Sequence, residues 1–193
     1  MNNYIDDIKE FDNNLKISES NRFLKSYHLK KFFIPNFCNW IICETEKYAK
    51  ENNGWDLRPF SHNPPQSLEV KKISNIANIV YESFSVIIPI IKNVYNLNNI
   101  QIEINYLFIV KYIHNMQNKF DFHTDGSLIS CNILLNNENE FEGGGTIFED
   151  GKVYNTEQGD LLLHCGKLRH AGAEITNGTR YVLVGFFNII LLS

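Results

Sequence analysis

A basic surface is what this sequence most plainly lacks. Lysine and arginine number 18 against 22 aspartates and glutamates, a formal charge of -4 with no stripe of cations. The long-range field that gathers phosphate backbones is therefore missing, and nucleic acid is not an expected partner. Long apolar runs are also scarce. Residues 86–91 are interrupted by Pro89 and residues 181–192 are too few for a helix across hydrocarbon, so no membrane span is expected. Residues 1–20, acidic and Asn-rich without an apolar stretch, do not read as a secretory signal, which points to a cytoplasmic or otherwise intracellular protein. Cysteines are few, Cys38, Cys43, Cys131 and Cys165, and none forms a CxxC pair. A zinc knuckle or dithiol centre is thereby disfavoured, and buried free thiols are expected. Of 5 prolines, Pro59, Pro64 and Pro65 crowd into residues 55–66. That segment can be neither helix interior nor central strand and reads as an extended surface loop.

What is present is ample core material. Hydrophobic residues make up 44%, with 14 Phe and 9 Tyr, and 193 residues suit one core. The expected organisation is a loosely packed arm over 1–20 and a single domain over 21–193. Residues 32–37 read as a short strand and turn, and residues 38–51 as a helix ending near Asn53-Gly54. Ile73, Ile76, Ala77, Val80, Phe84, Ile87, Ile88 and Ile91 recur at helical spacing, with Pro89 set to kink or split the helix. Beyond residue 97 the period becomes strand-like, and strands are predicted over 100–112, 120–123, 128–135, 145–149, 152–154, 160–164, 171–175 and 180–190. Turns fall at Glu149-Asp150-Gly151 and Asn177-Gly178. Helices followed by short strands make an α+β order, a sandwich or jelly roll with the helices packed on one face.

His123-Thr124-Asp125 places two metal-ligand types two residues apart, and an extended chain points both to one face. His170, after the strand-like Leu161-Leu162-Leu163-His164-Cys165, could meet them across a sandwich. Two imidazoles and a carboxylate on one side of an octahedral ion leave positions open for a chelating cosubstrate and oxygen on iron(II). An HxD triplet alone is more often a hydrogen-bonded or solvated pair than a pair of ligands. Arg180 changes the balance. If 170–175 and 179–190 are antiparallel neighbours, it returns near the metal on an apolar strand, where a cation needs an anion. A guanidinium fork suits the far end of a dicarboxylate.

In this order and spacing the motifs resemble iron(II)- and 2-oxoglutarate-dependent oxygenases of the prolyl 4-hydroxylase and procollagen lysyl hydroxylase type. They are Ile109-Val110-Lys111-Tyr112, His123-Thr124-Asp125, Asn132-Ile133-Leu134-Leu135-Asn136, Phe141-Glu142-Gly143-Gly144-Gly145-Thr146, Gln158-Gly159-Asp160, His170 and Gly178-Thr179-Arg180-Tyr181. The Asn-x-Leu-Leu-Asn and Gly-Thr-Arg-Tyr segments are closer to the lysyl hydroxylase catalytic domain. The resemblance implies a double-stranded β-helix with His123, Asp125 and His170 as iron ligands. It also implies Arg180 on the distal carboxylate of 2-oxoglutarate, with Tyr112 and Thr146 assisting. Oxygen would be the second cosubstrate and ascorbate a possible stimulant; a lysyl or prolyl side chain of a peptide or protein would be the substrate.

Other readings stand beside these. Tyr112 equally suits a core aromatic, Thr146 a generic β-branched strand residue, and Asn132 a structural hydrogen bond. The triple glycine reads as a bend or close backbone approach rather than a phosphate cradle, because no Lys-Ser/Thr or helix follows it. His164 reads as a core or supporting histidine, and His28, His62 and His114 as surface. Residues 55–66, with Trp55, Arg58 and Phe60, and residues 113–119 are candidate lids. Rival functions are an oxygenase of a free amino acid or other small molecule, a noncatalytic sandwich binding a metal or dicarboxylate, and a nucleobase oxygenase, which the acidic charge disfavours.

Overall fold

The structure, a computed structural model, describes residues 22–57 and 66–190. The predicted arm, most of the proline-rich loop, and with them Arg58, Phe60 and His62, lie outside the described residues. Within them, three helices and twelve strands follow in chain order: β1 Tyr27–Leu29, α1 Pro35–Glu51, β2 Asp56–Leu57, β3 Gln66–Glu69, α2 Ser74–Ser85, α3 Ile87–Val94, β4 Gln101–Ile113, β5 Phe120–His123, β6 Ile129–Leu134, β7 Phe141–Gly143, β8 Thr146–Phe148, β9 Val153–Tyr154, β10 Leu161–Cys165, β11 His170–Gly172 and β12 Ile175–Ile190.

Residues 32–37 do not form the expected strand. Pro35 takes the first position of α1, where its missing N–H is of no consequence and its fixed φ is already helical. Cys38, Ile41, Thr45 and Ala49 then form the buried stripe of that helix. Pro89 splits the second helical pattern rather than bending it. Its ring conflicts with the carbonyl four residues back, Ser85, which is where α2 ends; Pro89 itself sits in the first turn of α3, where an absent N–H is tolerated. Ser74–Val94 is long and apolar enough to cross a membrane, yet Ile76, Val80, Phe84, Ile87 and Ile91 are buried against the sheet.

The strands form two facing sheets. The larger runs β1-β10-β6-β12-β4-β3-β2, with β7 joining the start of β12; the smaller runs β5-β11-β8-β9. This is a jelly roll with eight core strands divided equally between the sheets, β4, β6, β10 and β12 in one and β5, β8, β9 and β11 in the other. The helices cover the outer face of the large sheet. Period-two alternation divides β4 and β12 cleanly. Leu107, Ile109 and Leu183 belong to the helix-side core, whereas Phe108, Val110, Tyr112 and Val182 belong to a second cluster between the sheets. Gly185 lies on the helix side because a Cβ there would meet the Phe84 ring at 2.5 Å.

Two sequence expectations about the last strands are corrected. The Glu149-Asp150-Gly151 turn does join β8 to β9, but Asn177-Gly178 turns nothing: β12 passes straight through it, pairing first with β7 and then with β4 and β6. Gly178 is required instead because the chain runs against β7, where a Cβ would meet the Glu140 carbonyl oxygen at 2.1 Å. The segments around 170–175 and 179–190 are accordingly not hairpin neighbours. β11 lies in the small sheet and β12 in the large one, and Arg180 reaches the His170 region across the sandwich.

Candidate metal and dicarboxylate site

Register places the site between the sheets. Arg180 pairs with Tyr112, Val182 with Val110, Val184 with Phe108 and Phe186 with Tyr106, so these residues share the inner face of the large sheet. Opposite, β5 and β11 pair His123 with His170 and Phe120 with Gly172. A Cβ on Gly172 would lie 2.5 Å from the Tyr112 hydroxyl, which puts Gly172, Tyr112 and Arg180 at one level of the sandwich. The histidine pair sits one step nearer Phe108 and Phe186. All of these except Tyr106 line a cavity of about 220 Å³.

At one end His123, Asp125 and His170 each offer a ligand atom within 4.8 Å of the others. Both imidazole Nε2 atoms stand 3.5 Å from the Asp125 carboxylate, one on each oxygen. Both Nδ1 atoms are bonded at 2.8 Å to backbone carbonyls, His123 to Asp121 and His170 to Leu168. A carbonyl can only accept, so each Nδ1 carries the proton and each Nε2 presents its lone pair toward the shared point. This is the tautomer a metal requires, and the donor set fits iron(II). Burial pushes the Asp125 carboxyl up, but the His123 contact, the neighbouring imidazoles and Ser130 outweigh it and bring it down to about 2. Its backbone is pinned as well: Asp125 N–H donates to Gly166, and Lys167 Nζ donates to the Asp125 carbonyl at 3.0 Å.

At the other end lies Arg180, 4% exposed. Among the described residues its guanidinium makes no ion pair; it lies over the Tyr112 ring at 5.3 Å. Burial lowers its pKa from the usual value, the direction expected of a cation without an anion. The Tyr112 hydroxyl faces the cavity and is pushed up by burial. Thr146 Oγ1 accepts from Asn132 Nδ2 at 3.4 Å, so Asn132 lines the cavity and makes its hydrogen bond across the sandwich to β8, not to an adjacent strand as its alternative reading has it. Tyr112 and Thr146 are therefore beside Arg180 in the cavity wall as well as part of the packing.

The triple glycine is a close approach. Gly143, Gly144 and Gly145 all have positive φ, and a Cβ on Gly144 would stand 3.1 Å from Arg180 Cδ. Sequence reasoning missed this role, together with those of Ser130, Gly166 and Lys167 around Asp125; all rest on contacts between distant segments. His164 supports rather than ligates. It is fully buried, packs edge-on against His170 at 4.5 Å, and burial brings its pKa down to about 3, so it is neutral.

Some expectations shift. Trp55 is not at the cavity mouth: it packs on Tyr181 and under Lys111 on the helix side, where both contact Glu46. Residues 113–119 lie beyond Tyr112, at the Arg180 end, tied by His114 N–H to Gly178 O. His114 is half-buried, and His28 is at the surface but bonded to Asp160. Cys38, Cys131 and Cys165 are buried thiols as expected, Cys43 is exposed on α1, and none is in a disulfide. Burial pushes the Cys38 thiol up to about 12 and Cys165 up to about 11, so neither is a nucleophile.

A jelly roll carrying a His-x-Asp…His cluster at one end of its cavity and a buried arginine at the other defines the double-stranded β-helix oxygenase class. No protein-family model matches the chain. Among curated proteins it is 30% identical to the procollagen lysyl hydroxylase and glycosyltransferase of Acanthamoeba polyphaga mimivirus, over 81% of this chain and 18% of that protein. It is 37% identical to human procollagen-lysine,2-oxoglutarate 5-dioxygenase 2, over 42% of this chain and 12% of that protein. The chain thus spans less than a fifth of these relatives' length. Among solved structures, a viral collagen prolyl hydroxylase from Paramecium Bursaria Chlorella virus-1 shares the fold with a TM-score of 0.65 at 12% identity, covering 86% of this chain and 96% of that one. A Pseudomonas putida prolyl-4-hydroxylase does so with 0.65 at 12%, covering 84% and 91%. In sequence the chain is similar to procollagen lysyl hydroxylases, and it shares the fold of the 2-oxoglutarate and iron(II) oxygenases.

Proposed function

We propose that the protein is a 2-oxoglutarate- and iron(II)-dependent hydroxylase of a lysyl or prolyl side chain in a peptide or protein. The observation that carries this reading is Arg180: a buried guanidinium without an anion among the described residues, facing across one cavity a three-ligand cluster whose imidazoles are already in the metal-binding tautomer. A lone buried cation is costly, and a dicarboxylate with one end on the metal and the other in the fork removes that cost.

His123, Asp125 and His170 hold the iron. Arg180 takes the distal carboxylate, and the Tyr112 hydroxyl and Thr146 Oγ1 supply the polar contacts left in an otherwise apolar wall of Val110, Val182 and Phe120. That wall excludes water from the reacting centre. Iron(II), 2-oxoglutarate and dioxygen, when bound, supply the oxidising chemistry: 2-oxoglutarate leaves as succinate and carbon dioxide, and one oxygen atom enters the substrate as hydroxyl. Ascorbate would sustain the ferrous state. The names of the curated relatives favour lysine over proline, and the Gly-Thr-Arg-Tyr segment agrees with them.

The test measures succinate formed from 2-oxoglutarate with iron and ascorbate against peptide, free amino-acid and oligonucleotide panels, reading a mass gain of one oxygen on the substrate. A lysyl or prolyl peptide is the expected acceptor, and His123→Ala or Asp125→Ala should abolish turnover in a folded protein. Substantial activity without iron or 2-oxoglutarate overturns the proposal, as does metal retention without succinate under every substrate.

A further inference from the structure

Next to the cavity, one strand outward from Phe108, lies a second charged feature that neither the metal cluster nor Arg180 requires. In β3, Glu69 pairs with Phe108 and Ser67 with Val110, so Glu69 lies on the inner face of the large sheet beside a residue that lines the cavity. By register it lies at the metal end, away from Arg180. The strand order places β3 and β2 beyond β4, at the margin of the large sheet. Glu69 is nevertheless only 8% exposed.

Its ion pair is with Lys71, two residues on, whose side chain is 64% exposed. The same ammonium lies 5.4 Å above the Tyr106 ring. Tyr106 leads inward through ring contacts, 5.8 Å to Phe108 and from there 5.2 Å to Phe186, and both of those rings line the cavity. A carboxylate beside an aromatic face is a receptor for an alkylammonium. The protein makes such a receptor once more on the helix side, where Glu46 and the rings of Trp55 and Tyr181 hold Lys111. That lysine is 16% exposed and serves the fold; the Lys71 side chain is 64% exposed, held at its tip by Glu69 and the Tyr106 ring. Only the lysine side of this pair faces water, so the Lys71 ammonium can be released to solvent, whereas the buried carboxylate needs another cation in its place. Among the described residues, the only acid in the cavity wall itself is Asp125, already committed to the candidate metal cluster.

We infer that Glu69 and Tyr106 form a recognition subsite for a cationic side chain of the substrate, and that Lys71 occupies it until the substrate displaces it. The inference rests on the hydroxylase reading above and sharpens it, because a subsite built for an ammonium selects lysyl over prolyl substrates. Glu69 is a specificity residue and takes no part in oxygen chemistry.

The test is a binding measurement with turnover withheld. The full chain, loaded with iron(II) and 2-oxoglutarate under nitrogen, is titrated calorimetrically with an end-blocked Gly-Ala-Lys-Gly-Ala peptide and with its norleucine counterpart. The two probes differ only in the ammonium. The wild-type protein should bind the lysyl peptide at least about tenfold tighter than the norleucyl one. Glu69→Gln should bring that ratio close to one through the lysyl peptide alone, and Lys71→Ala should tighten lysyl binding severalfold by removing the internal competitor. The inference is overturned if the wild type shows no preference for the lysyl peptide, if Glu69→Gln keeps that preference, or if Lys71→Ala weakens lysyl binding. Admitting air separates the two readings. Glu69-dependent binding without hydroxylation would remove the proposed reaction and leave the subsite; hydroxylation with a preference insensitive to Glu69 would do the reverse.

Discussion

A guanidinium differs from an ammonium chiefly in presenting two parallel donors, and Arg180 is placed where that difference matters. Arg180→Lys keeps the charge but loses one charge-assisted hydrogen bond to a carboxylate, about 1.5–3 kcal/mol. The Michaelis constant for 2-oxoglutarate should rise roughly tenfold to a hundredfold, with a smaller change for the peptide; steady-state kinetics with each varied separately checks the split. Gly144 should report on the same group from behind. Its φ of +78° disfavours any side chain, and an alanine Cβ would press on both Arg180 Cδ and Ile175 Cγ2 at 3.1 Å. Gly144→Ala should cost about 1–2 kcal/mol of stability from the backbone alone. It should also raise the 2-oxoglutarate constant while metal binding stays intact, which calorimetric titration with cobalt(II) would show.

Among the strands, β1 depends on a single acid. Asp160, fully buried at the start of β10, accepts from the Lys31 and Glu157 N–H groups at 2.8 and 3.1 Å and from His28 Nε2 at 2.7 Å. Burial raises its pKa, but these donors together hold it below the usual carboxylate range. A depressed folded pKa contributes stability that is complete above the unfolded value, about 3.9, and is lost as pH falls through the lower folded one. Asp160→Asn should therefore lower stability at pH 7 by about 2 kcal/mol, a fall in melting temperature of about 4–8 °C for a chain of this size. The gap between variant and wild type should narrow as melts are repeated toward pH 3. A constant gap would mean that packing, not charge, is at stake. How far such elements can be read from sequence depends on whether their cause is local. Pro89 and the period-two alternation of β4 act through their own neighbours, so the helices and core strands were legible to within a few residues; Pro35 also acts locally, but its sequence context reads as a strand and turn rather than as the first residue of α1. The His-x-Asp pair was legible for the same reason. The partner sheet of Arg180 was not, because Asn177-Gly178 has the composition of a turn and becomes a close crossing only once β7 lies beside it. Glu69, Ser130 and Lys167 are ordinary residues whose meaning comes from strands far away in the chain.

For the molecule as a whole, the site should govern stability as well as turnover. A ligand at a hundred times its dissociation constant stabilises by about 2.7 kcal/mol. Iron(II) with 2-oxoglutarate under nitrogen should then raise the melting temperature by roughly 5–10 °C, and a chelator should reverse it. In His123→Ala the shift should be lost, which differential scanning fluorimetry would record. A reactive centre divided between two sheets has one more property. The proposed metal ligands His123 and His170 ride on β5 and β11, with Asp125 just beyond β5, while the arginine rides on β12, and facing sheets stand about 10 Å apart. The sandwich is thus a caliper whose jaws are a cation pocket and a guanidinium, and its opening is set by the packing of Phe120, Val110 and Val182 between them. Such a gauge measures a dicarboxylate by length, so a 2-oxo acid one methylene shorter or longer would touch one jaw and miss the other.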